Sequence, residues 1–145
     1  MANFPPVLSF ARDLALTLSG DLIIGPTGDL DTVMGEDALL QEIIVRIKTR
    51  KGDARYVPEM GASLDTLIGQ PASPETGQMA ERLVMSALLH DGLFSDGEVS
   101  VIASPLSNTT IMLSITCSLA RFGDVETGEL LSIEIVFDIQ EGLLL

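Results

Sequence analysis

From Asp13 the chain takes on a period of two in its apolar positions. Leu14, Leu16 and Leu18 share one face, and the turn Ser19-Gly20-Asp21 interrupts them. Leu22-Ile23-Ile24 resumes the extended chain, Gly25-Pro26-Thr27-Gly28-Asp29 turns it again, and Leu30 to Val33 extends once more. Alternation bounded by Gly, Pro and Asp predicts a hairpin or a small meander. The period then lengthens. Leu39, Leu40, Ile43, Ile44 and Ile47 recur at helical spacing, which predicts a helix over 36–50. Glu36 and Asp37 lie in its first turn and suit the helix dipole, Arg50 and Lys51 lie in its last, and Gly52 suits a C′ position. Glu42 and Arg46 form an i,i+4 pair of favourable orientation.

A loop over 52–61 leads to a short helix over 62–68, with Leu64, Leu67 and Ile68 as its apolar side. Ser73-Pro74-Glu75 reads as an N-cap, a proline at N1 and an acid in the first turn. The helix this opens runs to about His90, with Met79, Ala80, Leu83, Val84, Ala87 and Leu88 on one side. The last third alternates again. Val99, Val101 and Ala103 precede a turn at 105–108. Ile111, Leu113, Ile115, Cys117 and Leu119 line one face of a strand over 109–120, and Leu131, Ile133, Ile135, Phe137 and Ile139 one face of a strand over 130–139, with a turn at 123–128 between them. Strands, then helices, then strands with one buried face predict an α+β fold: an N-terminal β-hairpin, two main amphipathic helices with a short one between, and C-terminal antiparallel strands. No internal repeat is evident.

The 145 residues suit one domain, 12–145, preceded by an extended arm, 1–11, in which Pro5-Pro6 opposes helix. An apolar fraction of 46% excludes wholesale disorder. With no Trp and one Tyr, the core must be aliphatic. Cys117 is the lone cysteine, so no intrachain disulfide forms, and its apolar strand makes it a small core residue. The N-terminus lacks the pattern of a signal peptide, and no stretch approaches a membrane span. A net charge of −13 argues against nucleic acid and favours a partner with basic surfaces.

Candidate chemistry is sparse. One His and one Cys fall short of the ligands a zinc site takes, and the acids near Gly28 lack the calcium-loop pattern, so neither metal nor cofactor is expected. His90 at a helix C-terminus suits dipole stabilisation better than catalysis. Glu59 is the one acid in a loop of interest for glycoside hydrolysis. The feature that stands out is positive charge: Arg46, Lys48, Arg50, Lys51 and Arg55 are five of the eight basic residues and occupy ten positions. They lead into Tyr56-Val57-Pro58 and Gly61. Helix capping and internal pairing account for single members; the cluster points to a joint with an acidic partner.

The stretch IIVRIKTRKGDARYVPEMGASLDTLIG resembles the phage baseplate wedge proteins typified by phage T4 gene product 25 and the phage P2 W protein. The matching positions are Arg46, Thr49, Gly52, Asp53, Pro58, Gly61, Leu64 and Leu67, preceded by the Asp-rich, Gly-punctuated LIIGPTGDLDTVMGEDALLQEI. Where that family often carries Glu-Pro-Arg after the second helix, this chain reads LLHDGLFSDGEVSV. The resemblance implies a structural protein and not an enzyme: a sheath initiator in the baseplate of a contractile tail, six copies around the axis, assembled in the host cytoplasm. Its implied partners are the tail sheath protein and baseplate wedge proteins, with tube or hub proteins as further candidates, and neither membrane nor nucleic acid. The wedge is expected at Arg46, Arg50, Lys51, Arg55, Tyr56, Pro58 and Gly61. Sheath strands are expected to add at Ile111, Leu113, Ile115, Ile133, Ile135 and Phe137, because a sheet edge is a template for another chain. Two other readings stand beside it: a peptidoglycan-cleaving enzyme using Glu59, and a strand-adding adaptor unrelated to tails.

Overall fold

A computed structural model of the chain describes residues 12–119 and 130–144. The arm at 1–11, the turn at 123–128 and Leu145 lie outside them. The element order is β1 (Arg12–Leu14), β2 (Thr32–Met34), α1 (Gly35–Lys48), a 3-10 turn (Leu64–Leu67), α2 (Pro74–Leu89), β3 (Val99–Pro105), β4 (Thr110–Ser118), β5 (Leu130–Asp138) and β6 (Gly142–Leu144). This is the α+β arrangement the alternation predicts.

The N-terminal meander closes on itself. β1 and β2 pair antiparallel, and residues 22–24 lie between them through bridges Leu16–Leu22 and Ile24–Leu30. Ala15 N–H donates to the Asp31 carbonyl at 2.9 Å, Asp31 N–H to the Ile23 carbonyl at 2.9 Å, and Ile23 N–H to the Ala15 carbonyl at 3.0 Å. The three bonded residues are eight apart, and the chain repeats at that spacing: Ser19-Gly20-Asp21-Leu22 recurs as Thr27-Gly28-Asp29-Leu30. Gly20 and Gly28 both turn with positive φ, at 93° and 84°, a conformation glycine adopts without strain. This short recurrence is a repeat that hydropathy period does not disclose.

α1 stops at Lys48, two residues before the predicted end. Thr49 turns extended, and its N–H and Oγ1 both donate to the Val45 carbonyl, at 3.0 and 2.6 Å. Arg50 and Lys51 therefore belong to the loop. α2 starts as predicted: Ser73 Oγ accepts from Thr76 N–H at 3.3 Å, with Pro74 in the first turn. Ala80, Val84, Ala87 and Leu88 are buried, Met79 is exposed, and the buried stripe runs back through Thr76 and Gly77. A Cβ on Gly77 would lie 3.3 Å from that of Ala103, so glycine lets α2 approach β3 closely.

Among the described residues the C-terminal strands form one antiparallel sheet ordered β3-β4-β5-β6. α2 packs on β3 and β4, and α1 packs on α2. The core lies between this helical layer and the inward face of the sheet, where Ile111, Leu113, Ile115, Cys117, Ile135 and Phe137 are fully enclosed. Burial pushes the Cys117 thiol up to about 11. The leucine-rich tail is β6, bound to β5 at Val136, Phe137 and Asp138, and Leu143 packs against the core.

Candidate functional site

The basic stretch divides by burial. Arg46 is 3% exposed. Its Nε donates to Glu42 Oε1 at 2.7 Å, and Nη1 to the carbonyls of Ala87 and His90 at 3.1 and 2.9 Å. These carbonyls end α2, where the helix leaves its last acceptors unfilled and a cation is favoured. Arg46 thus ties α1 to the end of α2 and is not available to a wedge protein, which corrects its place among the expected docking residues. Lys48 Nζ donates to the Leu18 carbonyl. Arg50 lies 3.4 Å from Asp53 and 3.5 Å from Asp65 across an exposed pair of bridges. Lys51, Arg55, Tyr56 and Pro58 are exposed, Tyr56 at 90%.

The loop that presents them is closed at its base. Gly52 N–H donates to the Pro58 carbonyl at 2.8 Å, Ala62 N–H to that of Arg46 at 3.1 Å, and Lys51 N–H to Ser63 Oγ at 2.8 Å. Gly61 is buried with φ 126°, and a Cβ there would stand 2.5 Å from the Thr49 carbonyl oxygen. Gly61 therefore shapes the loop and offers a partner no surface. What remains for docking is a tip made of Lys51, Arg55, Tyr56 and Pro58, with Arg50 beside it. Glu59 is exposed on the same loop.

The sheet edges answer the second expectation. Ser118 N–H bonds the Glu98 carbonyl and Leu106 N–H that of Thr110, so even-numbered residues of β3 turn their backbone toward β4. Ile139 N–H bonds Thr109, so odd-numbered residues of β4 and β5 face each other. Ile111 pairs with Phe137, Leu113 with Ile135, and Ile115 with Ile133. The six residues expected to receive a foreign strand are three pairs that fill each other's backbone bonds, and five of them are also fully buried. They cannot take an added strand.

The true edges are β3 on one side and, on the other, β6 with the part of β5 that β6 does not cover. On β3 the outward positions are the odd ones. Val99 bridges to Asp96, Ala103 N–H donates to Glu81 Oε1 at 2.9 Å, and Pro105 has no N–H to offer. A capped amide and an edge proline both discourage strand addition. On β5 the outward positions are even. β6 covers Val136 and Asp138 and ends at Leu144. The backbone of Leu130, Ser132 and Glu134 has no strand beside it among the described residues. That open length is about 13 Å. Glu81, Ser132 and Glu134 were not singled out by pattern, because parity of backbone direction is settled only once strand order is known; Pro105 was the visible signal on β3.

The chain matches no family model and no curated protein. A crystal structure at 1.44 Å of a candidate tail lysozyme from Geobacter sulfurreducens is similar, with a TM-score of 0.55 over 73% of this chain and 92% of that one. The two share a fold. At 17% identity the likeness concerns the fold and leaves the site to be argued from its own residues. In this chain those are the loop tip at 51–58 and the open half of β5. Among the described residues no group of His, Cys, Asp and Glu could hold a metal ion, and no helix is long and apolar enough to cross a membrane.

Proposed function

We propose that this chain is a structural protein of a contractile-tail baseplate, a sheath initiator that joins the wedge to the first sheath ring by strand addition. The open half of β5 carries this reading: among the described residues the outward backbone of Ser132 and Glu134 has no strand beside it, while the Ala103 amide of β3 is capped by Glu81. An extended sheath segment would hydrogen-bond along Leu130–Glu134 and continue the sheet past β6. The similar fold is that of a protein named for a tail, and the 46–67 stretch bears the resemblance described above. Wedge proteins would dock on Lys51, Arg55, Tyr56 and Pro58. Six copies would ring the tube, and rearrangement of the baseplate would pull on the sheath through the added strand.

The test is electron microscopy of the intact particle at side-chain resolution. The reading requires a ring of this chain with a foreign strand beside Ser132 and Glu134. A tail without this chain, or a β5 edge covered by the chain itself, sinks it; a foreign strand in a particle that is not a tail would instead favour the adaptor. The enzyme reading draws on the name of the similar structure and on exposed Glu59. Glu59→Gln is expected to leave peptidoglycan turnover at background for both proteins; a loss of measurable cleavage would restore that reading.

A further inference from the structure

The N-terminal meander carries one apolar face that nothing in the described chain covers. Strand pairing places Leu14 opposite Thr32, Leu16 opposite Leu22, Ile24 opposite Leu30, and Arg12 opposite Met34. Residues opposite one another, or two apart, share a face. The even-numbered residues therefore form one surface, of which Leu14, Leu18, Leu22, Ile24, Leu30 and Met34 are each at least 41% exposed. The face continues into a groove of about 500 Å³ beside α1, where Leu16 and Leu18 meet Leu40, Ile44 and Val45. Contiguous apolar surface of this kind marks an interaction site.

Two observations say what kind of occupant fits. The first is backbone chemistry. Three backbone groups of the strand edge that faces α1 are already bonded: Gln41 Nε2 donates to the Leu14 carbonyl at 2.8 Å, Leu16 N–H donates to Gln41 Oε1 at 2.9 Å, and Lys48 takes the Leu18 carbonyl. With these groups taken the edge offers no continuous ladder to an incoming strand, and a helix, which satisfies its own amides, fits it better. The second is charge. Positions 12–37 hold six acids, Asp13, Asp21, Asp29, Asp31, Glu36 and Asp37, against Arg12. None of the six has a cationic partner among the described residues, and Asp37 and Asp53 lie on the groove wall.

We infer that this face and groove receive an amphipathic helix of another protein, with an apolar stripe flanked by Lys and Arg. The leucines of such a helix enter between Leu18 and Ile44, and its flanks meet Asp21, Glu36 and Asp37. The surface is separate from the β5 edge and meets the loop at 51–58 through Asp53, so it can hold a partner while β5 is occupied. Either this inference or the strand-addition reading can fail without the other.

The probe is a synthetic helical peptide of about 15 residues, long enough to lie along α1, with leucines at i, i+3, i+4 and i+7 and lysines on the flanks. A second peptide carries glutamates in place of the lysines. Titrated against the full chain by calorimetry, the lysine peptide is expected to bind and the glutamate peptide to bind about tenfold or more weakly. Leu18→Ser with Ile24→Ser is expected to weaken the lysine peptide about tenfold, whereas Ile102→Ser with Leu106→Ser, on the far sheet, leaves it unchanged. Asp21→Lys beside the first turn of the meander, with Asp37→Lys at the start of α1, both exposed, should reverse the preference between the peptides without touching the apolar face. Equal binding of both peptides, or binding indifferent to Leu18 and Ile24, overturns the inference. So does a dimer of the chain itself that Leu18→Ser dissociates, or binding seen only after residues 1–11 are removed, since either result names a different occupant.

Discussion

Arg46 holds the end of α2 against α1 with three donated bonds, and its removal leaves the buried Ala87 carbonyl, the half-buried His90 carbonyl and Glu42 without their cation. Arg46→Ala is expected to cost about 2–4 kcal/mol in urea unfolding. Arg46→Lys should recover little, because one ammonium cannot reach the carboxylate and both carbonyls in that geometry. Gly61 is fixed for a different reason: Gly61→Ala combines a left-handed φ with a Cβ against the Thr49 carbonyl and is expected to cost about 1–3 kcal/mol in the same measurement. Cys117 gives a pH signature. Its folded thiol ionises near 11, against about 8.5 for an unfolded cysteine. The unfolded chain thus loses its proton first, and stability from this group falls as pH rises from the unfolded value toward 11. Thiol-reactive dye should accordingly report on unfolding, since the native thiol is both neutral and enclosed. The place of Cys117 in the core was legible from alternation. The role of Arg46 was not, because a helical arginine four residues after a glutamate reads as an exposed pair until α2 is known to end above it.

Among the elements, the two sheet edges are built to opposite ends. Glu81 reaches from α2 to cap Ala103, and Pro105 closes the strand beyond it. Glu81→Ala should leave the fold in place while exposing the Ala103 amide, and light scattering is expected to show increased self-association. On β5 the reverse change is informative. The Glu134 amide faces away from β4, so Glu134→Pro removes a donor that has no strand beside it among the described residues. Thermal unfolding should change little, and recruitment of the proposed sheath strand should be lost. The lengths and faces of β3, β4 and β5 follow from period-two alternation. The receptive edge did not follow from it. Long apolar alternation points to Ile111–Ile115 and Ile133–Phe137, yet those side chains are apolar because they fill the core, and their backbone bonds are filled by each other.

For the molecule as a whole, a net charge of −13 with few ion pairs among the described residues is a source of self-repulsion. Raising salt from about 0.01 M to about 1 M shortens the screening length from ~30 to ~3 Å, and the melting temperature is expected to rise with it. The architecture was legible from the sequence because each change of period marked a real change of element. Closure of the meander was not, since it depends on contacts among three residues spaced eight apart, Ala15, Ile23 and Asp31, and not on hydropathy. That spacing sets a rule for how the chain can change in length. Eight is even, so excising residues 23–30 joins Leu22 to Asp31 with every following side chain still on its original face. Losing seven or nine residues would turn the rest of the meander over, bringing acids to the apolar side. Variation in this region among natural or designed versions should therefore come in even steps, with whole turns of Gly-Asp-Leu gained or lost together.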